Sequence, residues 1–145
     1  MKRCVFFGHR NCPNTIKPML QEAIMELIEN GYDDFMVGNN GGFDRMVRHC
    51  LEELSHTIGG FRYSIVLERL SKEGEEKIEN SILADGIEDC PPRFCIDRRN
   101  EYMLRVADAV VCYITKGYGG AYKFVEKARR RKKRIINIAD KKDRR

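Results

Sequence analysis

Apolar residues in this chain fall alternately into short continuous runs and helical stripes. Residues 3–7, Arg-Cys-Val-Phe-Phe, form a run that closes on Gly8 and predicts a first strand. After Pro13-Asn14-Thr15, with Asn14 or Thr15 in a capping position and Pro18 in the first turn, Leu20, Ala23, Ile24, Leu27 and Ile28 repeat at the 3.6-residue period until Gly31. That stripe predicts a helix. Residues 34–37 make a second strand, and Phe43, Met46, Val47, Cys50, Leu51 and Leu54 share one helical face behind Gly41-Gly42. Residues 63–67 read as a third strand. Between residues 70 and 95 the periodicity fades: the polar stretch 72–80 fits a helix, and an acidic loop closes at Pro91-Pro92. Loops of this length are often functional covers. A helix over residues 97–106, a strand over 109–114, a glycine turn, a helix with Ala121, Phe124, Val125 and Ala128 inward, and a last strand over 134–138 complete the pattern.

Strands that are apolar throughout and alternate with amphipathic helices predict an α/β fold. The expected architecture is a three-layer, Rossmann-like domain whose mainly parallel sheet of about five strands is covered on both faces. The length of 145 residues suits one domain over residues 1–145, with no internal repeat or linker, and the hydrophobic share of 42% supplies a packed core without staples. No apolar run approaches the roughly 20 residues of a membrane span. The opening residues 1–9 are too short and polar-ended for a signal peptide, so a cytoplasmic protein without membrane attachment is expected. Six cysteines without a C-x-x-C pair read as buried reduced thiols. Cys90 and Cys95 come nearest to zinc-knuckle spacing, and poorly, so no metal and no cofactor is expected.

The net charge of +5 is unevenly spread: residues 127–145 carry 11 basic and 2 acidic side chains, which leaves residues 1–126 at −4. The run Arg129-Arg130-Arg131-Lys132-Lys133-Arg134 could meet nucleic acid phosphates, but reads first as the solvated face and C-terminal turn of a helix, where cations favour the dipole.

In an open parallel sheet, ligands bind at the carboxyl ends of the strands, where helix N-termini present unpaired amides. Gly8, the stretch Gly38 to Gly42 and the stretch Gly117 to Gly120 all fall at such ends. Any one of them could serve a turn, but three in equivalent positions predict one composite pocket for a nucleotide. His9 and Arg10 follow the first strand directly. Arg10 could hold a phosphate by its planar fork, and His9 could donate to one or act as acid or base; both also read as exposed loop residues. His49 and His56 read as surface histidines. Asp44, in the first turn of its helix, is favoured by the dipole alone or accepts hydrogen bonds from ribose hydroxyls. Arg98 and Arg99 begin a helix where cations are disfavoured, which asks for an anion or an acidic neighbour.

Through Phe7-Gly8-His9-Arg10, Gly42-Phe43-Asp44 and the stretch from Arg99-Asn100-Glu101-Tyr102-Met103 to Gly119-Gly120, the chain resembles the SLOG superfamily. These are the Rossmann-like nucleotide-binding domains shared by the DNA-processing protein DprA (Smf) and the LOG enzymes, once labelled lysine decarboxylases. The resemblance is to the small bacterial YpsA-like branch and spans nearly the whole chain. It implies a nucleotide or nucleotide-derived ligand on Gly8, His9, Arg10, Gly41, Gly42, Asp44, Arg99, Asn100, Gly119 and Gly120. The LOG enzymes cleave the N-glycosidic bond of nucleoside monophosphates with the arginine of an R-K-x-x-M motif and the glutamate of a P-G-G-x-G-T-x-x-E motif. Arg99 and Met103 match the first, with Asn100 in place of lysine. In the second, aligning Gly119-Gly120 with the paired glycines brings Glu126 to the glutamate but puts Tyr122 and Lys123 at glycine and threonine. Aligning Gly120-Ala121 with the glycine-threonine pair puts Phe124 there instead, and no proline precedes either register.

Three functions follow. The first is a nucleotide-binding or sensing domain. The second is a LOG-like phosphoribohydrolase in which Arg99 is catalytic with Asp44 or Glu126, although Glu126 also reads as a solvent-facing helix residue. The third is DprA-like single-stranded nucleic acid binding through the basic C-terminus, where few aromatics are present to stack bases. Dimers in the family make a homodimer a further expectation, though no sequence feature marks a dimer surface.

Overall fold

The computed structural model describes residues 1–143, and in it the apolar runs become six strands. These are β1 (Lys2–Gly8), β2 (Tyr32–Val37), β3 (Arg62–Leu67), β4 (Ser81–Leu83), β5 (Ala109–Tyr113) and β6 (Arg134–Asn137). They form one sheet in the order β4-β3-β2-β1-β5-β6, and every neighbouring pair is parallel. The helices are α1 (Lys17–Glu29), α2 (Gly41–Thr57), α3 (Cys95–Val106), α4 (Gly120–Arg130) and α5 (Ile138–Asp143).

Successive strand residues point to opposite faces, and that alternation builds two cores. Cys4 and Phe6 of β1 pack with Leu20, Ile24, Phe43 and Leu51 beneath α1 and α2, where Ile138 of α5 joins them. Val5 and Phe7 pack with Met103, Leu104 and Phe124 beneath α3 and α4. The result is the expected three layers. Strand order reverses between β1 and β5, whose outgoing chains leave for opposite faces, and a crevice opens at such a switch point.

The sheet has six strands where the sequence suggested about five. The added strand, β4, has three residues, none of them buried, so it lacks the apolar run that marks the others. Residues 72–80 do not form a helix but an irregular loop, held by a two-pronged ion pair of Arg69 with Glu75. Two helices also start differently. Asn14 and Thr15 form a 3-10 turn ahead of α1 and neither caps it, while α3 begins at Cys95, two residues before the expected start. The last strand stops at Asn137, one residue early. There the Asn137 side chain bonds both the N–H and the carbonyl of Ile114 and accepts the N–H of Ala139, and α5 begins.

All six cysteines carry free thiols, four of them buried. Among the described residues no helix is long and apolar enough to cross a membrane. The basic run lies at the amino end of the strands, because α4 ends at Arg130 and β6 starts at Arg134. Much of it serves the fold: Lys127 and Arg131 reach Glu101 of α3, Arg129 pairs with Glu126, and Lys133 Nζ donates to the carbonyl of Ala107. Arg144 and Arg145, the end of the basic segment, lie outside the described residues.

Candidate functional site

A cavity of about 300 Å³ sits at the carboxyl ends of β1 and β2, beneath the N-terminal turns of α2, α3 and α4. Gly8, His9 and Arg10 form one wall, Gly38, Asn40 and Asp44 a second, Asp97, Arg99 and Asn100 of α3 a third, and Gly119 and Gly120 the last. Gly42 lines a neighbouring cavity instead, and Gly41 and Glu126 line neither.

The three glycine clusters do different work. At Gly8 a Cβ would overlap the ring of Phe43, and at Gly38 it would stand 2.7 Å from Cζ of Arg99. Both sites are bare so that the protein's own side chains can lie across the strand ends. Gly41 has φ +88°, and the N–H of Gly42 donates to the carbonyl of Arg10 at 2.7 Å, which consumes one of the free amides at the start of α2. Gly119 and Gly120 differ: Gly119 has φ +102°, and a Cβ on either would meet no atom within 4 Å. This turn alone leaves its backbone open to a guest.

Arg99 is the fixed cation of the site. Its side chain is 3% exposed; Nη1 donates to Oδ1 of Asn40 at 2.6 Å and to Oε2 of Glu68 at 3.4 Å, and Nε donates to Oδ1 of Asn100 at 3.1 Å. The acidic neighbour expected for a cation near this helix start is thus Glu68, the residue after β3. Nη2 has no bond to any described residue.

Asp44 is 7% exposed, and its Oδ2 accepts the backbone N–H of Asn40 at 3.0 Å. Burial pushes its carboxyl up to about 6, and the charge of Glu68 adds to the rise, against the pull of the Asn40 amide, Arg99 and Arg48. Asp44 therefore changes charge close to neutral pH. Burial and the Asp44 charge also raise the thiol of Cys12, which leaves it protonated and a poor nucleophile.

His9 does not offer Nε2 to the cavity. That nitrogen accepts the N–H groups of Thr115 at 3.1 Å and Lys116 at 3.3 Å, so the ring is the Nδ1–H tautomer and ties the loop after β5 to the end of β1. Burial, with Lys116 nearby, pushes its pKa down, in keeping with that acceptor role. Arg10 is exposed, and its side chain bonds no described residue. Glu126 faces outward on α4, paired with Arg129 at 3.2 Å.

Sequence reasoning passed over Gly38 as an individual, Asn40, Glu68 and Asp97. Asn40 and Glu68 follow strand ends as His9 and Arg10 do, and that position was the available signal. Among the described residues no group of three or more His, Cys, Asp or Glu side chains is placed to hold a metal ion. The arrangement can hold a flat cation rigidly, offer backbone amides across the cavity, and exchange a proton at Asp44. In comparison with known proteins, no family model and no curated protein matches the chain.

Proposed function

We propose that the protein binds a nucleotide or nucleotide-derived small molecule in this cavity, as a member of the SLOG superfamily acting as a sensor or binding domain. The observation that carries this reading is the open Gly119-Gly120 turn at the start of α4, across the cavity from Arg10 and the buried Arg99. Phosphate belongs on that turn, where amide donors and the helix dipole favour an anion. The cavity volume of about 300 Å³ lies at the small end of ligand sites and suits a mononucleotide-sized guest. Asp44 accepts from ribose hydroxyls in its ionised form. Titration calorimetry and thermal shift against nucleotides, nucleotide sugars and ADP-ribose compounds test the reading. Saturable heat with a raised Tm is expected for at least one compound, and silence from all of them overturns it.

One observation favours a second reading, hydrolysis of a nucleotide N-glycosidic bond. Asp44 lines the cavity with Arg99 and holds its proton up to about 6, the property a general acid needs, whereas Glu126 is tied to Arg129 elsewhere. Free base released from a nucleoside monophosphate and lost in Asp44→Asn supports hydrolysis. No release at high protein concentration removes it and leaves binding intact.

A further inference from the structure

Behind the turn formed by residues 10–12 lies a second cavity of about 450 Å³, between the N-terminal parts of α1 and α2. Its walls carry Lys17, Arg45 and His49, with Asn14 and Cys12 beside them, and no carboxylate lines it. Lys17 is paired with Glu53 at 3.0 Å, but Arg45 makes no hydrogen bond or ion pair with any described residue. Arg45 and His49 are four residues apart on α2 and so share a face. Lys17 is the first residue of α1, and Arg45 stands just past the first turn of α2, so two helix starts add partial positive charge to the same space.

The two cavities share a wall. Arg10 lines the first and Cys12 the second, and Gly42, also on the second, is hydrogen-bonded to the carbonyl of Arg10. A single turn of chain therefore separates the two spaces, and a small molecule with two anionic groups can be laid across it. Two guanidinium groups without a partner among the described residues stand here, Arg10 at the start of the turn and Arg45 in the cavity behind it.

Resting on the binding reading above, we infer that the second cavity is a subsite for a second phosphate, so that the preferred ligand is a small nucleotide phosphorylated at two separate positions. Arg45 supplies a two-pronged contact, with His49 and Lys17 adding donors around it.

Two measurements on the full chain test this. Inorganic phosphate is titrated while the ring signals of His49 and His56 and the Nε–H signal of Arg45 are followed by NMR. Saturable shifts at His49 and Arg45 but not at His56, with the His49 shift abolished in Arg45→Glu, support the subsite; no shift, or equal shifts at all three, overturns it. In calorimetry, a nucleoside 3′,5′-bisphosphate should bind about tenfold tighter than the 5′-monophosphate, the increment of one charge-assisted contact. Arg45→Ala should erase that advantage while leaving monophosphate affinity unchanged. Equal affinities with monophosphate binding intact overturn the subsite and spare the main cavity. If no nucleotide binds, the binding reading fails and the preferred-ligand inference fails with it.

Discussion

Asn40 occupies the N-cap of α2, yet its side-chain oxygen accepts from Nη1 of Arg99 in α3, at 2.6 Å, and caps nothing. An asparagine there would ordinarily bond the first free amides of its own helix, a contact worth about 0.5–2 kcal/mol. Here one of those amides, that of Gly42, is taken by the carbonyl of Arg10, and Asp44 reaches back to the N–H of Asn40. The cap is rebuilt from other groups, and Asn40 is left to orient the arginine.

Asn40→Ala should accordingly cost about 1–3 kcal/mol, because it strips a buried donor of its acceptor. The loss should appear in a urea melt with an unchanged m-value. Affinity for the ligand should fall as well, since Arg99 gains freedom of orientation.

Arg99→Ala should be harsher. It leaves Glu68 and Asp44 facing each other without their shared cation, and breaking such a buried arrangement costs roughly 3–5 kcal/mol. Equilibrium denaturation measures the loss, and the Asp44 carboxyl should titrate higher still in NMR.

Asp44 should give the protein an acid-side stability gain. Its carboxyl sits near 3.8 in the unfolded chain and is raised to about 6 in the native state, so the folded form holds the proton more tightly. The stabilisation is complete below the unfolded value and lost as pH rises through about 6. Relative to Asp44→Asn, the wild type should therefore gain roughly 2–3 kcal/mol between pH 7 and pH 4, by order of magnitude. A flat difference between the two proteins across that range would contradict the buried environment described for Asp44.

His9 should act with the opposite slope. Its native pKa lies below 6.5 while the unfolded ring keeps that value, so the contribution is present above 6.5 and lost as pH falls toward the native value. Protonation removes the acceptor for Thr115 and Lys116, and the protection factors of those two amides, exchange rates referred to the intrinsic rate at each pH, should fall in acid.

Glycine substitutions should separate packing from binding. Gly8→Ala drives a methyl into the Phe43 ring and should destabilise by about 1–3 kcal/mol. Gly120→Ala meets open space at the first position of α4, so stability should hold or rise by up to about 1 kcal/mol while ligand affinity drops. Parallel thermal melts and calorimetry distinguish the two.

The central strands and four of the helices were legible because burial on both sides writes continuous apolar runs and burial on one side writes a 3.6-residue stripe. β4 and α5 were not, since one is short and half-exposed and the other begins where a side chain, Asn137, turns the strand aside. At the cavity, Arg10 was marked by its place after a strand, Asp44 and Arg99 by charge near a helix start, and Gly120 by the glycine turn that opens a helix. Which glycines were filled by the protein itself could not be read, because Phe43 and Arg99 reach Gly8 and Gly38 only through the tertiary fold. Partners distant in sequence, such as Asn40 with Arg99, leave no local pattern.

The three-residue strand at the outer rim bears on self-association. A stray chain seeking to extend the sheet beside β4 would find no more than the outward-facing backbone groups of a three-residue strand, since alternate residues already bond β3. So brief a template cannot register a β-ladder, and that side of the molecule is guarded against runaway edge-to-edge aggregation by shortness rather than by charge.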